Sequence, residues 1–221
     1  MIEAVLFDMD GVLVDSEPAH FAVTCAALEA VGMPIPNDDE WEAIFFGRPD
    51  REGLADWFLR RHVTADIEAI MADKLRRFES RFVELVRPFD DAQWLARALS
   101  AAGMPLATVS GARRPEVDLV VSHFGLTDVI RVTVSSDDVS AGKPDPEGFL
   151  KGAAMLGVDP ERCAVIEDAL PGIRAAQVAG MALVVVDRLG RPERFAPSVP
   201  VEQLDRAVLD GLLQGRQRHL G

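Results

Sequence analysis

Residues 3–8, Glu-Ala-Val-Leu-Phe-Asp, are a short apolar run closed by acids, which reads as a buried strand. From 17 to 85 the pattern changes to helical segments. A helix over 18–32 stops at Gly32, and Asn37 opens a second, with Glu40 three residues on completing a capping-box pattern. Residues 51–62 and 66–85 read as two more, and no strand is evident in this stretch. After Pro88, helices over 90–102, 114–124, Pro146–Leu156 and 171–179 alternate with strands at Leu106–Val109, Arg131–Val134, Cys163–Ile166 and Leu183–Val186. Glycine follows each helix. The alternation predicts an α/β fold, a Rossmann-like parallel sheet covered on both faces. Residues 187–200, with Pro192, Pro197 and Pro200, read as an irregular loop, and the last residues around Arg216, Arg218 and His219 as a frayed end. The domain reading is therefore an α/β core of residues 1–16 and 86–221 interrupted by an α-helical insert, residues 17–85. Such an insert is a natural lid, because open parallel sheets bind ligands at their strand ends.

Composition narrows the class. The 221 residues are 48% hydrophobic, enough for a sizeable core, and carry a formal charge of −13 from 23 basic and 36 acidic residues. That balance argues against coating nucleic acid or an anionic membrane. Cys25 and Cys163 stand far apart without metal-ligand spacing, so a reducing, cytoplasmic setting is expected. No apolar run approaches the roughly 20 residues of a membrane span, and the first residues lack the basic start of a secretory signal. Only three of the basic residues are lysine, Lys74, Lys143 and Lys151. In so arginine-rich a chain, a retained lysine marks a position where arginine is a poorer fit.

Asp8-Met9-Asp10-Gly11 is the most informative stretch. Asp8 and Asp10 lie at i and i+2 at a strand end and point the same way. Two carboxylates so placed are costly unless a cation shares them or one keeps its proton. Gly11 lets the chain turn at once; the bland alternative is an acidic turn that caps the next helix. Val165-Ile166-Glu167-Asp168 repeats the logic on a later strand, and in a parallel sheet Asp168 shares the edge with Asp8. Converging oxygens without a nearby His or Cys suit a hard cation such as Mg²⁺, while the alternative for Asp168 is a helix cap near Pro171. Ser110-Gly111 ends a third strand and offers a hydroxyl and a backbone N–H to an anion, although Ser-Gly is also an ordinary loop. Gly142-Lys143-Pro144 is not a Walker sequence, and a solvated lysine is the usual alternative there.

Together these elements resemble the haloacid dehalogenase superfamily. The resemblance rests on Asp-Met-Asp-Gly-Val-Leu-Val-Asp-Ser-Glu (8–17), Gly-Lys-Pro-Asp-Pro-Glu-Gly-Phe-Leu (142–150) and Val-Ile-Glu-Asp-Ala-Leu-Pro-Gly-Ile-Arg-Ala-Ala (165–176), and it spans essentially the whole chain. The insert resembles the small helical cap of the β-phosphoglucomutase and phosphatase branch. An acid at position 10 argues against the dehalogenases themselves.

The resemblance implies a nucleophilic Asp8 that forms an aspartyl-phosphate, and Asp10 as general acid and then base. It implies Mg²⁺ held by Asp8, the Asp10 backbone carbonyl and Asp168, with Glu167 holding the ion or a water on it. Ser110, Gly111 and Lys143 would grip the phosphoryl oxygens. His20 on the first helix matches a histidine that in mutases couples cap closure to proton transfer; it is equally an ordinary helix residue. Phe45-Phe46-Gly47-Arg48-Pro49 resembles the cap loop that selects substrates. Arg48, Arg51 and Lys74 are candidates for a distal anion, against the plainer reading of a solvated helix face. Arg113 and Arg114 either bind a second phosphate or face water.

Two departures bear on the reaction. Mutases carry Arg three residues after the cap-loop glycine, where this chain has Asp50, and a Ser-Lys-Asn run where it has Ala112-Arg113-Arg114. Both weaken a second phosphate site. Pro88-Phe89 also replaces the usual Pro-Gly after the cap. The reading is thus a Mg²⁺-dependent phosphatase acting on a small phosphorylated metabolite such as a sugar phosphate. The alternatives are a β-phosphoglucomutase-like mutase and a non-catalytic binding module, the last disfavoured by the presence of Asp8, Asp10, Lys143 and Asp168 together. No dimer surface is evident, so a monomer is expected.

Overall fold

The computed structural model describes residues 1–45 and 48–214. In chain order the strands and helices are β1 (Ala4–Phe7), β2 (Val14–Asp15), α1 (Glu17–Ala30), α2 (Asp38–Ile44), α3 (Asp50–Arg61), α4 (Ile67–Leu85), β3 (Arg87–Pro88), α5 (Asp90–Ala101), β4 (Leu106–Val109), α6 (Arg114–His123), β5 (Val132–Val134), α7 (Glu147–Leu156), β6 (Cys163–Glu167), α8 (Leu170–Val178), β7 (Ala182–Val185) and α9 (Arg206–Leu213). The chain divides into two compact units, residues 1–14 with 88–221, and residues 15–87.

The first unit is built on a five-stranded parallel sheet in the order β5-β4-β1-β6-β7. All four residues of β1 are buried, as expected for a central strand covered on both faces. Leu6 packs in one cluster with Val109, Val134 and the α7 residues Phe149 and Ala153. Val5 and Phe7, which point the opposite way, are equally buried. From β1 the chain builds outward through β4 to β5, then crosses over to β6 and β7. The switch in direction falls between β1 and β6, the crevice where open α/β sheets place their ligands.

The second unit is helical, and among the described residues no strand lies between 16 and 86. Its second helix opens as the sequence indicates. The Asn37 side chain accepts from the Glu40 amide at 2.9 Å, and the Glu40 carboxylate accepts from the Asn37 amide at 3.0 Å. Trp57 anchors the core among Leu28, Trp41, Leu54 and Ile70, and its indole N–H donates to the Pro34 carbonyl at 3.1 Å.

Several segments differ from the sequence reading, among them the short strands β2 and β3, which it did not contain. Helix α9 was not foreseen, although Asp205 caps it through the Ala207 and Val208 amides and Leu209 and Leu212 are buried at helical spacing. Residues 187–200 are not wholly irregular. A 3₁₀ turn at Pro192–Phe195 buries Phe195 beside Ile173 and Val185. The expected frayed end falls outside the described residues.

Trp57→Ala removes a buried aromatic and strands the Pro34 carbonyl. It is expected to destabilise the protein by about 3–5 kcal/mol, read as a lowered midpoint of thermal or urea unfolding.

Candidate active site

Strand register assembles the site. Phe7 pairs with Thr108 of β4 on one side and Ile166 of β6 on the other. The next residue, Asp8, therefore emerges beside Glu167, and its amide is fixed by the Ile166 carbonyl at 2.9 Å. Ser110 follows β4 at the same edge, with its amide on the Val134 carbonyl at 2.9 Å. Asp8, Ser110 and Glu167 are buried, while Asp10, Lys143 and Asp168 are half-buried.

Lys143 links two of the acids. Its ammonium lies 2.7 Å from Asp8 Oδ1 and 2.7 Å from Glu167 Oε1, and sits 4.9 Å from the Phe149 ring centroid. The other Glu167 oxygen accepts the Asp168 and Ala169 amides at 2.7 and 2.8 Å. Both oxygens of Glu167 are thus engaged, which suits an organiser of the site. Asp168 does not cap the following helix: the N-cap of α8 is Ala169, with no side-chain cap bond. Carboxylate oxygens of Asp8, Glu167 and Asp168 instead lie within 4.8 Å of one another.

Asp10 sits on a tight turn. The amides of Val12, Leu13 and Val14 all reach the Met9 carbonyl, and the Gly11 amide donates to the Val14 carbonyl at 2.9 Å. Gly11 has φ +80°, and a Cβ there would lie 2.0 Å from Asp168 Oδ2. Only glycine combines that turn with that approach. The Ser110 hydroxyl donates to Asp10 Oδ2 at 3.2 Å and accepts the Ala112 amide at 3.0 Å.

The remaining sequence candidates are held elsewhere. Gly111 is exposed beside Ser110. Arg113 is 3.5 Å from Asp137, and Arg114 ties α6 to Asp138 and the Thr133 carbonyl while also pairing with Asp118 one turn on in the same helix. Within the helical unit, His20 stacks on Phe78 at 4.9 Å, Arg48 bonds Asp56 and the Ile44 carbonyl at 3.1 Å each, and Arg51 pairs with Glu68. Lys74 is buried and paired with Asp50. Gly47 lies outside the described residues. Sequence reasoning missed Glu147, whose carboxylate accepts the Ser140 and Ala141 amides at 2.9–3.0 Å and so steadies the loop that delivers Lys143. An acid in the first turn of α7 was the available signal.

Residues 2–180 match the model of the haloacid dehalogenase-like hydrolases. The chain belongs to this family. It is 31% identical to the validoxylamine A 7'-phosphate phosphatase of Streptomyces hygroscopicus subsp. limoneus, over 100% of this chain and 99% of that protein. It is also 31% identical to the N-acetylmuramic acid 6-phosphate phosphatase of Pseudomonas aeruginosa, over 95% and 97%. Among solved structures, CbbY from Rhodobacter sphaeroides in complex with phosphate superposes with a TM-score of 0.85 at 29% identity, covering 95% of this chain and 100% of that one.

The electrostatics of this hydrolase site are those of a cation receptor. Burial and then the adjacent Glu167 push the Asp8 carboxyl well above the usual carboxylate range, despite the pull of Lys143. Burial, Glu167 and Asp8 push Asp168 up in the same way. Burial disfavours the Lys143 ammonium, but Asp8 and Glu167 outweigh it and hold its pKa above the ordinary lysine value. The carboxyls of Asp8, Glu167 and Asp168 thus converge, with one ammonium bridging the first two. An all-oxygen donor set in which burial and neighbouring acids oppose the ionisation of Asp8 and Asp168 fits a hard divalent cation.

Gly172 tests how tightly Glu167 is held, because a Cβ there would fall 1.6 Å from Glu167 Oε1. Alanine improves helix propensity by about 1 kcal/mol, yet it displaces a buried carboxylate from its two amides and Lys143. Gly172→Ala is therefore expected to lower thermal stability, where propensity alone would raise it.

Proposed function

We propose that this hydrolase is a Mg²⁺-dependent phosphatase that cleaves a small phosphorylated metabolite of the sugar phosphate class through an aspartyl-phosphate on Asp8. The observation that carries the reading is the Asp8 carboxylate, held by Lys143 at the end of the central strand, with Asp168 beside it and Asp10 two residues on. The two curated relatives named above, both phosphatases of phosphorylated carbohydrate-like compounds by name, support it.

Asp8 attacks phosphorus, the ester P–O bond breaks, and the leaving oxygen takes the proton of the Asp10 carboxyl. Water then attacks the aspartyl-phosphate, and Asp10 takes its proton. Inorganic phosphate leaves and the Asp8 carboxylate is restored. Lys143, the Ser110 hydroxyl and the Gly111 amide hold the phosphoryl oxygens as charge shifts. Asp8, Asp168 and the Asp10 carbonyl, with Glu167 behind, would hold Mg²⁺, which would supply the charge neutralisation that keeps Asp8 ionised. The helical unit serves as the cap and sets the substrate. Asp50, which stands where mutases carry arginine, is paired with Lys74. That leaves no free cation at that position for a second phosphate, so hydrolysis is favoured over isomerisation.

A panel of phosphate monoesters that includes β-glucose 1-phosphate tests this. Stoichiometric inorganic phosphate is expected, whereas glucose 6-phosphate formed without phosphate release would sink the reading. Asp8→Asn is expected to remove turnover while leaving the fold intact by circular dichroism. Retained full activity would overturn the nucleophile.

Cation affinity is expected to depend on pH. The raised Asp8 and Asp168 values mean that protons compete with the ion at low pH. Mg²⁺ affinity should therefore rise with pH above the ordinary carboxylate range, with proton release on binding. Asp168→Asn should weaken binding by at least ~10-fold, measured by calorimetric titration in two buffers of different ionisation enthalpy.

A further inference from the structure

Arg188, three residues beyond β7, is an arginine that the mechanism above does not use. Its side chain is only 13% exposed. Nη1 and Nη2 form a bidentate pair with Asp91 at 2.8 and 3.0 Å, and the guanidinium lies 4.2 Å over the Phe89 ring. Nη2 also reaches the Val12 carbonyl at 3.5 Å, a long bond at the limit of the interaction. The Asp91 carboxylate is completed by the Leu204 and Ala92 amides at 2.9 and 2.8 Å. Burial opposes its ionisation, but Arg188 and the Leu204 amide outweigh that and hold its pKa below the usual value.

The clamp acts on one particular turn. The Phe89 amide donates to the Leu13 carbonyl at 3.1 Å, so the ring under Arg188 and the backbone bond to Leu13 belong to the same residue. Val12 and Leu13 form the second half of the turn whose first half is Asp10 and Gly11. Within that turn, the Gly11–Val14 and Met9–Leu13 bonds connect residues 12–14 to the backbone on either side of Asp10. A lysine ammonium would supply the charge opposite Asp91 but not the two-armed pair. The planar fork, the ring stack and the reach to Val12 require guanidinium. Arg188 Nε, moreover, is buried with no partner among the described residues, so the site accepts a desolvated donor to keep arginine there.

We propose that Arg188, through Phe89 and Val12, is a positioning residue that sets where Asp10 delivers its proton. The inference rests on the phosphatase reading, in which Asp10 is the general acid. It has a signature that a merely structural residue lacks. An alkoxide leaving group needs the proton as the ester bond breaks, and a p-nitrophenolate barely does.

The test compares wild type, R188K and Phe89→Leu, at saturating Mg²⁺, on p-nitrophenyl phosphate and on the sugar phosphate turned over best in the panel. R188K keeps the charge opposite Asp91, and Phe89→Leu keeps the ion pair but removes the stack. In both variants kcat/KM for the sugar phosphate is expected to fall about 10-fold further than for the aryl ester. Should R188K fail to fold, Phe89→Leu carries the comparison. Equal losses on the two substrates, or none, overturn the inference and leave the phosphatase reading standing. A wild-type enzyme inert to both substrates overturns that reading and the inference with it.

Discussion

Three carboxylates crowd one crevice between β1 and β6, and much else in the core follows from holding them there. Each like-charged pair at just under 5 Å costs about 3 kcal/mol at an effective dielectric near 20. Three such pairs reach the scale of a domain's whole stability, about 5–15 kcal/mol. The fold answers with fixed counter-charges and dipoles. Lys143 bridges Asp8 and Glu167, and two backbone amides at the start of α8 take the other Glu167 oxygen. Gly11 and Gly172 surrender their side chains so that Asp168 and Glu167 have room. One ammonium and two amides leave part of this charge uncompensated, which suits the divalent cation proposed above.

The pKa directions sharpen the division of labour between Asp8 and Asp10. Sequence logic asks for an ionised nucleophile beside a protonated acid. Burial alone drives the opposite outcome at Asp8, whose carboxyl is pushed up. In the proposed mechanism the charge state of Asp8 would therefore depend on the cation beside it. Asp10, half-buried and bonded to the Ser110 hydroxyl, stands outside the set of three converging acids. In the proposed mechanism that separation would let the two acids take different roles.

Much of this was legible in the sequence because it is local. The Leu106–Val109 strand appears as read, the Asn37–Glu40 capping box forms, and register carries Asp8, Ser110 and Glu167 to one edge without further information. Asp168 was ambiguous, since an acid before a helix reads equally as a cap. Only the position of β6 beside β1 decides that its carboxyl faces Asp8. Arg114 was illegible for the same reason. Its partners Thr133 and Asp138 lie on another element, and the tertiary ion pair decides what an i,i+4 surface pattern cannot. Helix α9 was missed despite its Asp205 cap, because its apolar residues follow a proline-rich stretch that draws attention to loop chemistry.

The use of cations shows how desolvation selects side chains. Of three lysines, Lys74 and Lys143 carry side chains only 3% and 16% exposed, and each is tied to aspartate, while Lys151 is exposed. Arginine dominates elsewhere, mostly on exposed or half-exposed helix faces. The reason differs with geometry. Lys143 must divide one compact charge between Asp8 and Glu167, over a phenyl ring, and a wide guanidinium would need space that the two acids occupy. Arg188 meets the opposite demand, a single carboxylate that takes both arms of a fork while the plane lies on Phe89. The net charge of −13 therefore says little about anion binding. Phosphate chemistry here depends on where a few cations are buried, and on which shape of cation each place admits.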